Sequence, residues 1–485
     1  MKNNTVPLSQ NITEYLSNLY GAEWADDYAH FTLEARGIYI RFNSLRATKD
    51  ELIESLKSGY DIEVSEVEGF PYALKVEKDE NENIGKTIEH ITGSYYIQSS
   101  SSMLPPLVLN PRPGERVLDM CAAPGSKTTM IAQMMQNSGS LVANEVAQNR
   151  AGILSFNMER MIVVNSAILK MPGEQMSSYY PEFFDKILVD APCSGLGIIQ
   201  KKGEVNNRWN IDLVKRLAFL QQKLLISAIK MLAPGGTLVY STCTLTLEEN
   251  EDMINFLLEN YPLDIEDITL PIPAEDGFTS INGIPLNSGV AKARRINPLI
   301  AKTEGFFVAK LTKRESINHK PKNYVKYAQP KYPRTKLVTL AVNAMSEQFG
   351  VPAEAIDNYS YYEQHSDIFI VSKNWDGGNF TRQSKLGLKI GALDNYGNFI
   401  FHTNGAKIFE KHITKNIYEC LSADDIKTYL DGGIIRTGTS GHNKGQAVFC
   451  YRNRKLGTGV FVESGFKSRF PRAFRTQSIT MANAE

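Results

Sequence analysis

The segment ERVLDMCAAPGSKTTMIAQMMQNSGSLVANEV, residues 115–146, contains a strand, a helix and a second strand in direct succession. ERVLDM (115–120) and LVANEV (141–146) are short runs rich in apolar residues, which is typical of buried strands. Between them, SKTTMIAQMMQ (126–136) predicts a helix. The segment therefore predicts the first unit of an alternating strand–helix architecture.

The same alternation continues from residue 147 to residue 311. Further strands are predicted at 165–169, 185–192, 235–242 and 305–311, and further helices at 147–161, 211–232 and 248–261. Strands that alternate with helices of about 10–15 residues predict a mostly parallel, doubly wound sheet of the α/β class. Ligands bind outside the carboxyl ends of the strands in such a sheet. Residues at four predicted strand ends should therefore line one crevice: Asp119, Glu145, Asp190 and Cys243.

The overall composition indicates a globular chain of several domains. At 485 residues, the chain is long enough for two to four domains. Apolar residues make up 42% and charged residues 22%, which is close to the averages of globular proteins, so sizeable cores are expected. No run approaches the about 18 apolar residues that a membrane span needs, and the chain does not start like a signal peptide. We therefore expect no membrane association.

The cysteines are few and widely spaced. They occur at positions 121, 193, 243, 420 and 450. A disulfide framework or a zinc site would need pairs at short spacing, and the number here is odd. We therefore expect free thiols in a reducing cytoplasm, and no bound metal.

Five regions are predicted along the chain. They are a small α+β module (1–100), the doubly wound domain (101–313), a basic, proline-containing linker (314–335), an α/β module (336–385) and a strand-rich region (386–485). Within the first region, residues 12–31 predict a helix, 37–47 a strand, 50–60 a second helix and 72–79 another strand.

The charge is distributed unevenly although the net charge is zero. From Arg314 to the end there are 24 Lys and Arg against 15 Asp and Glu, a net charge of +9, so the preceding part carries −9. This asymmetry suggests a basic appendage that holds a polyanion. Two ordinary solvated surfaces would explain it equally well.

The loop between the first strand and its helix is suited to binding a ligand. It consists of Cys121, Ala122, Ala123, Pro124, Gly125, Ser126 and Lys127. Small residues let a ligand approach the backbone, and a helix N-terminus offers free N–H groups and a positive dipole. The GxxxxGK[ST] spacing of a P-loop is missing. Glu145 follows the second strand, where a carboxylate typically binds the hydroxyls of a ribose. An ordinary tight turn and a solvated glutamate are the alternative.

Two cysteines lie at predicted strand ends, in DAPCSG (190–195) and STCT (241–244). A buried cysteine is usually a small apolar residue, but a pair in one pocket suits the methylation of a pyrimidine carbon. A thiolate that adds to C6 makes C5 nucleophilic, a carboxyl group such as Asp190 stabilises the adduct, and a second thiol assists its release. Chemistry alone does not rank Cys193 and Cys243.

Together these segments resemble the NOL1/NOP2/sun family of RNA cytosine-C5 methyltransferases. The matching segments are DMCAAPGSKT (119–128), ANE (143–145), DAPCSG (190–195), STCTLTLEENE (241–251), RFNSL (41–45), YIQSSSSMLP (96–105) and EGFFVAKL (304–311). The resemblance extends to a basic final segment, FKSRFPRAFR (466–475). It implies a Rossmann-like catalytic domain at 101–313 with RNA-binding regions at 1–100 and 386–485, the latter similar to a PUA module.

The resemblance also implies roles for individual residues. Cys243 would be the nucleophile, and Cys193 would assist release of the methylated product. DNA cytosine methyltransferases attack through a Pro-Cys cysteine, which would favour Cys193, so the ranking rests on the family match. S-adenosylmethionine would be the methyl donor, held by the loop 121–127, Glu145 and Asp190.

The substrate that the resemblance implies is RNA. We expect 16S rRNA in the small ribosomal subunit or its precursor, and a monomeric enzyme. The same chemistry on tRNA, or an RNA-binding assembly factor without catalysis, are the alternatives. A protein or small-molecule methyltransferase would leave the cysteine pair unexplained.

Three positions depart from the family pattern. Pro172 stands where the family usually has an aspartate that contacts adenine. Leu196 and KKGEVNNRW (201–209) replace a glutamate and a basic Lys-Asp-Pro stretch, and RRINPLIAKTEGFF (294–307) lacks a histidine. The first change bears on cofactor binding and the other two on the target base.

The C-terminal residues 444–475 carry eight basic residues and one acidic residue. Aromatic residues are interleaved with them: Tyr451, Phe461, Phe466, Phe470 and Phe474. Basic and aromatic residues together suit contacts with RNA phosphates and bases. We expect most of these aromatic residues to form the core of a small β-domain instead.

Overall fold

A computed structural model describes residues 8–34, 37–77, 83–281, 283–317, 331–377, 383–420, 422–437 and 445–475. Residues 318–330 of the predicted linker lie outside this part of the chain. In the described ranges, no helix has both the length and the apolar character needed to cross a membrane.

The N-terminal region combines helices with a small antiparallel sheet. Its elements are α1 (Gln10–Tyr20), α2 (Ala22–Phe31), β1 (Tyr39–Phe42), α3 (Lys49–Tyr60), β2 (Val64–Glu66), β3 (Ala73–Val76), α4 (Ile88–Thr92) and β4 (Tyr95–Ile97). The sheet order is β2-β3-β1-β4, and Leu52 and Leu56 of α3 are buried against it. The α+β character predicted here is therefore present.

The predicted helix at 12–31 is in fact two helices, separated at Gly21. A φ of 97° at Gly21 ends α1, and α2 begins at the next residue. Both helices pack on the doubly wound domain rather than on the small sheet. The buried cluster that joins them contains Ile12, Leu16, Tyr28, Phe31, Leu196, Trp209 and Leu245. α1 and α2 thus pack with residues of the larger domain.

The central domain follows the predicted alternation closely. Its elements are α5 (Ser100–Leu109), β5 (Arg116–Asp119), α6 (Ser126–Met134), β6 (Ser140–Asn144), α7 (Gln148–Arg160), β7 (Ser166–Leu169), β8 (Phe184–Asp190), α8 (Glu204–Arg208), α9 (Ile211–Met231), β9 (Leu232–Thr242), α10 (Glu251–Asn260), β10 (Leu263–Ile265), β11 (Glu275–Asp276), β12 (Ser280–Ile281), β13 (Ile284–Pro285), β14 (Arg294–Ile296), α11 (Pro298–Ala301) and β15 (Phe306–Lys313).

The main sheet has the order β11-β14-β15-β9-β8-β5-β6-β7-β18, where β18 comes from the C-terminal region. Within the run β9-β8-β5-β6-β7, adjacent strands are parallel, whereas β15 runs antiparallel to β9 and β18 runs antiparallel to β7. The order reverses at β5, because β6 and β7 lie on one side of it and β8 and β9 on the other. Such a switch point opens a crevice at the carboxyl ends of the strands, which is where the predicted site residues lie.

Helices cover both faces of the main sheet. On one face, Leu224 and Leu225 of α9 pack in one buried cluster with Ile187 and Val189 of β8. On the other face, residues of α5, α6 and α7 form a second cluster with the same strands. Burial on both faces explains why these strands read as continuous apolar runs. The predicted doubly wound, Rossmann-like α/β fold is confirmed.

The C-terminal region contains two further sheets. Its elements are α12 (Lys336–Phe349), α13 (Ala353–Ile356), β16 (Tyr359–Gln364), β17 (Asp367–Ser372), β18 (Gln383–Leu386), β19 (Leu388–Leu393), β20 (Phe399–Phe401), α14 (Thr403–Ile408), β21 (Ile417–Cys420), α15 (Ala423–Asp431), β22 (Ile434–Ile435), β23 (Gln446–Tyr451), β24 (Arg454–Val462) and β25 (Gly465–Ser468). The sheets have the orders β16-β17-β19-β20 and β21-β23-β24-β25-β22.

The predicted boundary between residues 385 and 386 falls within paired strands. The sheet β16-β17-β19-β20 crosses it, since β17 pairs with β19. In addition, β18 (Gln383–Leu386) contains this boundary and pairs antiparallel with β7 at the edge of the main sheet. A boundary at this position would cut through both sheets.

The aromatic residues of the last region mostly form its core, as expected. Phe466, Phe470 and Phe474 are buried, whereas Tyr451 and Phe461 are partly exposed. The Tyr429 ring of α15 stacks on Phe449 with 3.8 Å between ring centroids. The likeness of this five-stranded sheet to a PUA module stays a prediction.

Candidate active site

Two neighbouring parallel strands bring the cysteines together. Asp190, the last residue of β8, is paired in register with Ser241 of β9. Cys193 and Cys243 follow shortly after these positions, and their Sγ atoms are 3.1 Å apart. Both residues are half-buried free thiols. The structure thus places the two predicted catalytic cysteines in direct contact at the crevice.

The two thiols are not equivalent. The hydrogen bond with Cys243, burial and the nearby Glu249 carboxylate raise the pKa of Cys193 well above its ordinary value. Cys193 therefore keeps its proton at neutral pH and can donate its S–H to the sulfur of Cys243. Reactive cysteines are thiolates, and this arrangement disfavours the thiolate at Cys193.

The loop 121–127 is held by contacts to the neighbouring strands. The Ala122 N–H donates to the Asn144 carbonyl over 2.9 Å, and Arg150 Nη2 donates to the Ala123 carbonyl over 2.7 Å. Gly125 has a φ of 109° and precedes α6, so the free N–H groups of that helix face the crevice. Burial raises the pKa of Cys121 and so disfavours its thiolate.

A charged pair lies between the loop and the cysteines. Lys127 Nζ is 2.8 Å from Asp190 Oδ2, and Ser241 Oγ donates to Asp190 Oδ1 over 2.8 Å. Burial disfavours the ammonium, but the Asp190 carboxylate more than offsets this and raises the pKa of Lys127. Lys127 also donates to Ser102 Oγ over 3.2 Å. The carboxylate of Asp190 is therefore fixed in place by two partners.

Glu145 lies directly after β6 and is only 4% exposed. Its Oε1 accepts from the Ala147 N–H over 2.9 Å, and its Oε2 is 3.3 Å from Arg150 Nη1. Because Arg150 also binds the Ala123 carbonyl, Glu145 and the loop 121–127 are held in one network. The structure therefore brings together all the predicted site residues.

Pro172 lies beside this network, and it provides no side-chain hydrogen-bonding group. It follows β7 and precedes a short 3₁₀ helix, Gly173–Ser178. The preceding residue, Met171, donates its N–H to Asn144 Oδ1 over 3.2 Å. The departure seen in the sequence is thus located at the edge of the crevice.

The sequence did not single out Asn144, whose side chain joins three strand ends. Its amide donates to the carbonyls of Met120 (3.2 Å) and Met171 (3.0 Å), after β5 and β7. Its position directly before Glu145 in ANE was the available signal. A buried polar residue at a strand end often has such a tethering role.

Two buried glutamates were also missed. Glu304 accepts from Ser99 Oγ over 2.7 Å and Ser101 Oγ over 2.6 Å, and it forms an ion pair with Lys201. Glu249 accepts hydrogen bonds from both cysteine-bearing loops. Both residues belong to segments that match the family, which was the signal for them. Among the described residues, no group of His, Cys, Asp and Glu is arranged to hold a metal ion.

Comparison with known proteins agrees with this geometry. Residues 106–312 match the family model described as "16S rRNA methyltransferase RsmB/F". The "Ribosomal RNA small subunit methyltransferase F" of Klebsiella pneumoniae is 31% identical over 442 residues, 89% of each chain. The chain belongs to this family. The predicted resemblance and the predicted methyltransferase class are therefore confirmed.

Other members of the wider group are also similar. The tRNA (cytosine(49)-C(5))-methyltransferase of Pyrococcus abyssi is 38% identical over 277 residues, which cover 56% of this chain and 87% of that protein. A crystal structure of a methyltransferase homologue from Pyrococcus horikoshii superposes with a TM-score of 0.54 at 34% identity. It covers 63% of this chain and 100% of its own. The RsmB/F relative thus extends further along this chain than the tRNA enzyme.

Proposed function

We propose that this RsmB/F family member transfers a methyl group from S-adenosylmethionine to C5 of cytidine in RNA, through a covalent bond between Cys243 and C6. The observation that carries the proposal is the 3.1 Å contact between the Cys193 and Cys243 sulfurs at the end of β8 and β9. Asp190 lies on the same edge with its carboxylate fixed. Two thiols and a carboxylate form the set that pyrimidine C5 chemistry requires.

Each of these residues has a step in the proposed reaction. The Cys243 thiolate adds to C6, which makes C5 nucleophilic. N3 of the adduct takes up a proton, and the Asp190 carboxylate accepts a hydrogen bond from this N3–H and so stabilises the adduct. After methylation, a base takes the C5 proton, the electrons of the C5–H bond re-form the C5–C6 double bond, and Cys243 leaves C6 as a thiolate; Cys193 assists this release. The target base must leave its helix to reach the thiols.

The residues of the crevice fit S-adenosylmethionine. The N–H groups at the start of α6 and the loop from Cys121 to Lys127 suit its methionine carboxylate, and Glu145 suits its ribose hydroxyls. Small residues at Ala122, Ala123 and Gly125 leave the backbone accessible. When bound, the sulfonium supplies an electrophilic methyl group. Pro172 contributes no side-chain polar group, so backbone groups would have to contact the adenine.

We propose 16S rRNA of the small ribosomal subunit, or its precursor, as the substrate. Support comes from the family match and from relatives named for that activity that align with 89% of this chain. The relative named for tRNA aligns with 56% of it and gives the alternative. An enzyme of this kind would act in the cytoplasm as a monomer. Bisulfite sequencing of rRNA and tRNA from a deletion strain distinguishes the two substrates.

The exposed basic residues of the C-terminal region would hold the RNA. Exposed side chains there are Arg452, Lys467, Arg469, Arg472 and Arg475. The N-terminal sheet lies beside them, since Arg454 donates to Ser94 Oγ over 3.1 Å and pairs with Glu410. Phosphate contacts usually supply most of the affinity for RNA.

Substitution of each cysteine tests the mechanism. Cys243→Ala should abolish methylation without trapping RNA, because no covalent bond can form. Cys193→Ala should accumulate a denaturation-resistant adduct of protein and RNA, because addition proceeds but release does not. Gel electrophoresis under denaturing conditions with labelled RNA measures both. The opposite pattern would reverse the roles, and no effect of either change would refute the mechanism.

A further inference from the structure

Glu249 is a fully buried carboxylate between the two cysteine-bearing loops. It accepts from the Ser194 N–H over 2.9 Å, from Gln221 Nε2 over 2.9 Å and from Thr246 Oγ1 over 2.8 Å. The Ser194 hydroxyl donates to it as well. Ser194 directly follows Cys193, and Thr246 follows Cys243 by three residues. Glu249 thus connects the two loops to each other and to α9.

The charge of Glu249 has no counterion nearby. In the described part of the chain it forms no ion pair, and only neutral donors surround it. Burial raises the pKa of Glu249, while these donors oppose the rise. The same carboxylate helps to raise the pKa of the Cys193 thiol. The negative charge of Glu249 therefore disfavours the thiolate of Cys193, whose neighbour Ser194 binds Glu249.

The opposite charge lies near the other cysteine. Lys127 Nζ is 2.8 Å from Asp190 Oδ2, and Asp190 Oδ1 accepts from the hydroxyl of Ser241, two residues before Cys243. The Tyr240 hydroxyl of β9 donates to the Glu249 backbone carbonyl over 2.6 Å, and burial raises the pKa of Tyr240, so it stays neutral. Asp190 is paired with Lys127. The two sulfurs, 3.1 Å apart, thus lie in an asymmetric field.

We propose that Glu249 is a positioning residue that makes the two cysteines unequal. It fixes the loop that bears Cys193 through Ser194, and its charge adds to the hydrogen bond with Cys243 and to burial in disfavouring a thiolate there, which leaves Cys243 as the attacking group. The chemical roles of the cysteines rest on the proposed function, whereas their unequal protonation does not depend on it. No step of the reaction passes through Glu249 itself.

The test is the pH dependence of thiol alkylation in the RNA-free protein. Initial rates of reaction with iodoacetamide are followed for each cysteine by mass spectrometry of its peptide. In the unmodified protein, Cys193 should reach half-maximal reactivity at a higher pH than Cys243. Glu249→Gln removes the charge and keeps the shape, and should lower the value for Cys193 by about one pH unit. Glu249→Asp keeps the charge and should leave that value close to the original.

Glu248→Gln is the matched control. The Glu248 carboxylate accepts from the Tyr15 hydroxyl over 2.6 Å and points towards α1. Its removal should therefore leave the reactivity of both cysteines unchanged. A purely structural role for Glu249 would change the melting temperature without moving the pH dependence of Cys193.

Three outcomes decide the proposal. A value for Cys193 that does not move in Glu249→Gln overturns it. The proposal is also overturned if Cys193 reacts at a lower pH than Cys243 in the unmodified protein. This comparison does not depend on whether a Glu249 variant folds. If Glu249→Gln moves the pH of half-maximal reactivity of Cys193 but the unmodified protein methylates no RNA, the role of Glu249 is supported and the proposed function is refuted.

Discussion

Several ionisable side chains of this candidate site lie where water is excluded. Asp119, at the end of β5, is 1% exposed, and its Oδ2 accepts from Thr128 Oγ1 over 2.6 Å. Burial raises the pKa of Asp119 to about 7. The folded protein therefore holds this proton more tightly than the unfolded chain between about pH 4 and pH 7. The contribution of Asp119 to stability falls as the pH rises through that window.

We predict that Asp119→Asn removes this pH dependence. Relative to the unmodified protein, the variant should gain stability from pH 5 to pH 7, by at most about 1.4 kcal/mol per pH unit. Melting temperatures of the ligand-free proteins measure the difference. Asp185→Asn, which removes a more exposed carboxylate from the start of β8, is the control. If the melting temperatures of Asp119→Asn and the unmodified protein differ by the same amount at every pH from 5 to 7, the prediction is wrong.

The residues that sequence could identify share one property: they follow a predicted strand. Asp119, Asp190 and Cys243 were placed at one crevice on that basis alone. Glu249 and Asn144 were not, because their importance comes from burial and from partners distant in sequence. Ser194 lies 55 residues before Glu249, and no local sequence pattern predicts a hydrogen bond between them.

At the scale of elements, the loop after Cys193 is packed tightly against the ends of β9 and β15. The Gly197 N–H donates to the Cys243 carbonyl over 3.0 Å, and the Gly305 N–H donates to the Gly197 carbonyl over 3.1 Å. A Cβ at Gly197 would lie 2.0 Å from the Gly305 carbonyl oxygen and 2.9 Å from that of Cys243. The close approach of these backbones therefore requires glycine at position 197.

We predict that Gly197→Ala displaces Cys193 from Cys243. Methyl transfer should fall by about 100-fold, since a displacement of about 1 Å at reacting groups has this effect, and stability should fall by about 1–3 kcal/mol. Single-turnover rates and melting temperatures measure the two effects. Gly203→Ala is the control, because a Cβ there meets nothing within 4 Å. Equal rates for both variants would show that the packing of this loop does not position the cysteines.

The elements that sequence predicted best are those whose burial is uniform. β5, β6 and β8 are apolar runs because helices cover both sheet faces, and their ends were correct to within two residues. β18 was not assigned to the main sheet, because its pairing with β7 is fixed by contacts more than 200 residues apart. The division of the first helix was missed because one glycine inside a helical pattern does not usually end it.

At the scale of the whole molecule, the net positive charge and the cysteine pair lie in different parts of the chain. Residues before Arg314 carry a net charge of −9 and include both cysteines, while the remainder carries +9. The C-terminal region is tied to the catalytic sheet by β18 and to the N-terminal sheet through Glu410, which pairs with Arg46 and Arg454. The basic surface is therefore held in a defined position relative to the active site.

We predict that this surface supplies the salt-dependent part of RNA binding. The triple variant Lys467→Ala, Arg469→Ala, Arg472→Ala removes three exposed cations from one segment. Affinity for a small-subunit rRNA fragment should fall about 10-fold or more. The slope of log Kd against log salt concentration should decrease by about 2, because each phosphate contact contributes roughly 0.7–0.9. At saturating RNA, kcat should be unchanged, since none of these residues is near the thiols.

The matched control removes the same number of exposed cations from the acidic part of the chain. Lys215→Ala, Arg216→Ala, Lys223→Ala changes three exposed residues of α9. Its net charge equals that of the first variant, so long-range electrostatic effects are comparable, and only direct phosphate contacts distinguish the two. If both triple variants lose affinity and slope equally, the RNA does not lie on the C-terminal surface. Binding would then depend on total charge alone, and the separation of charge from catalysis would have no role in recognition.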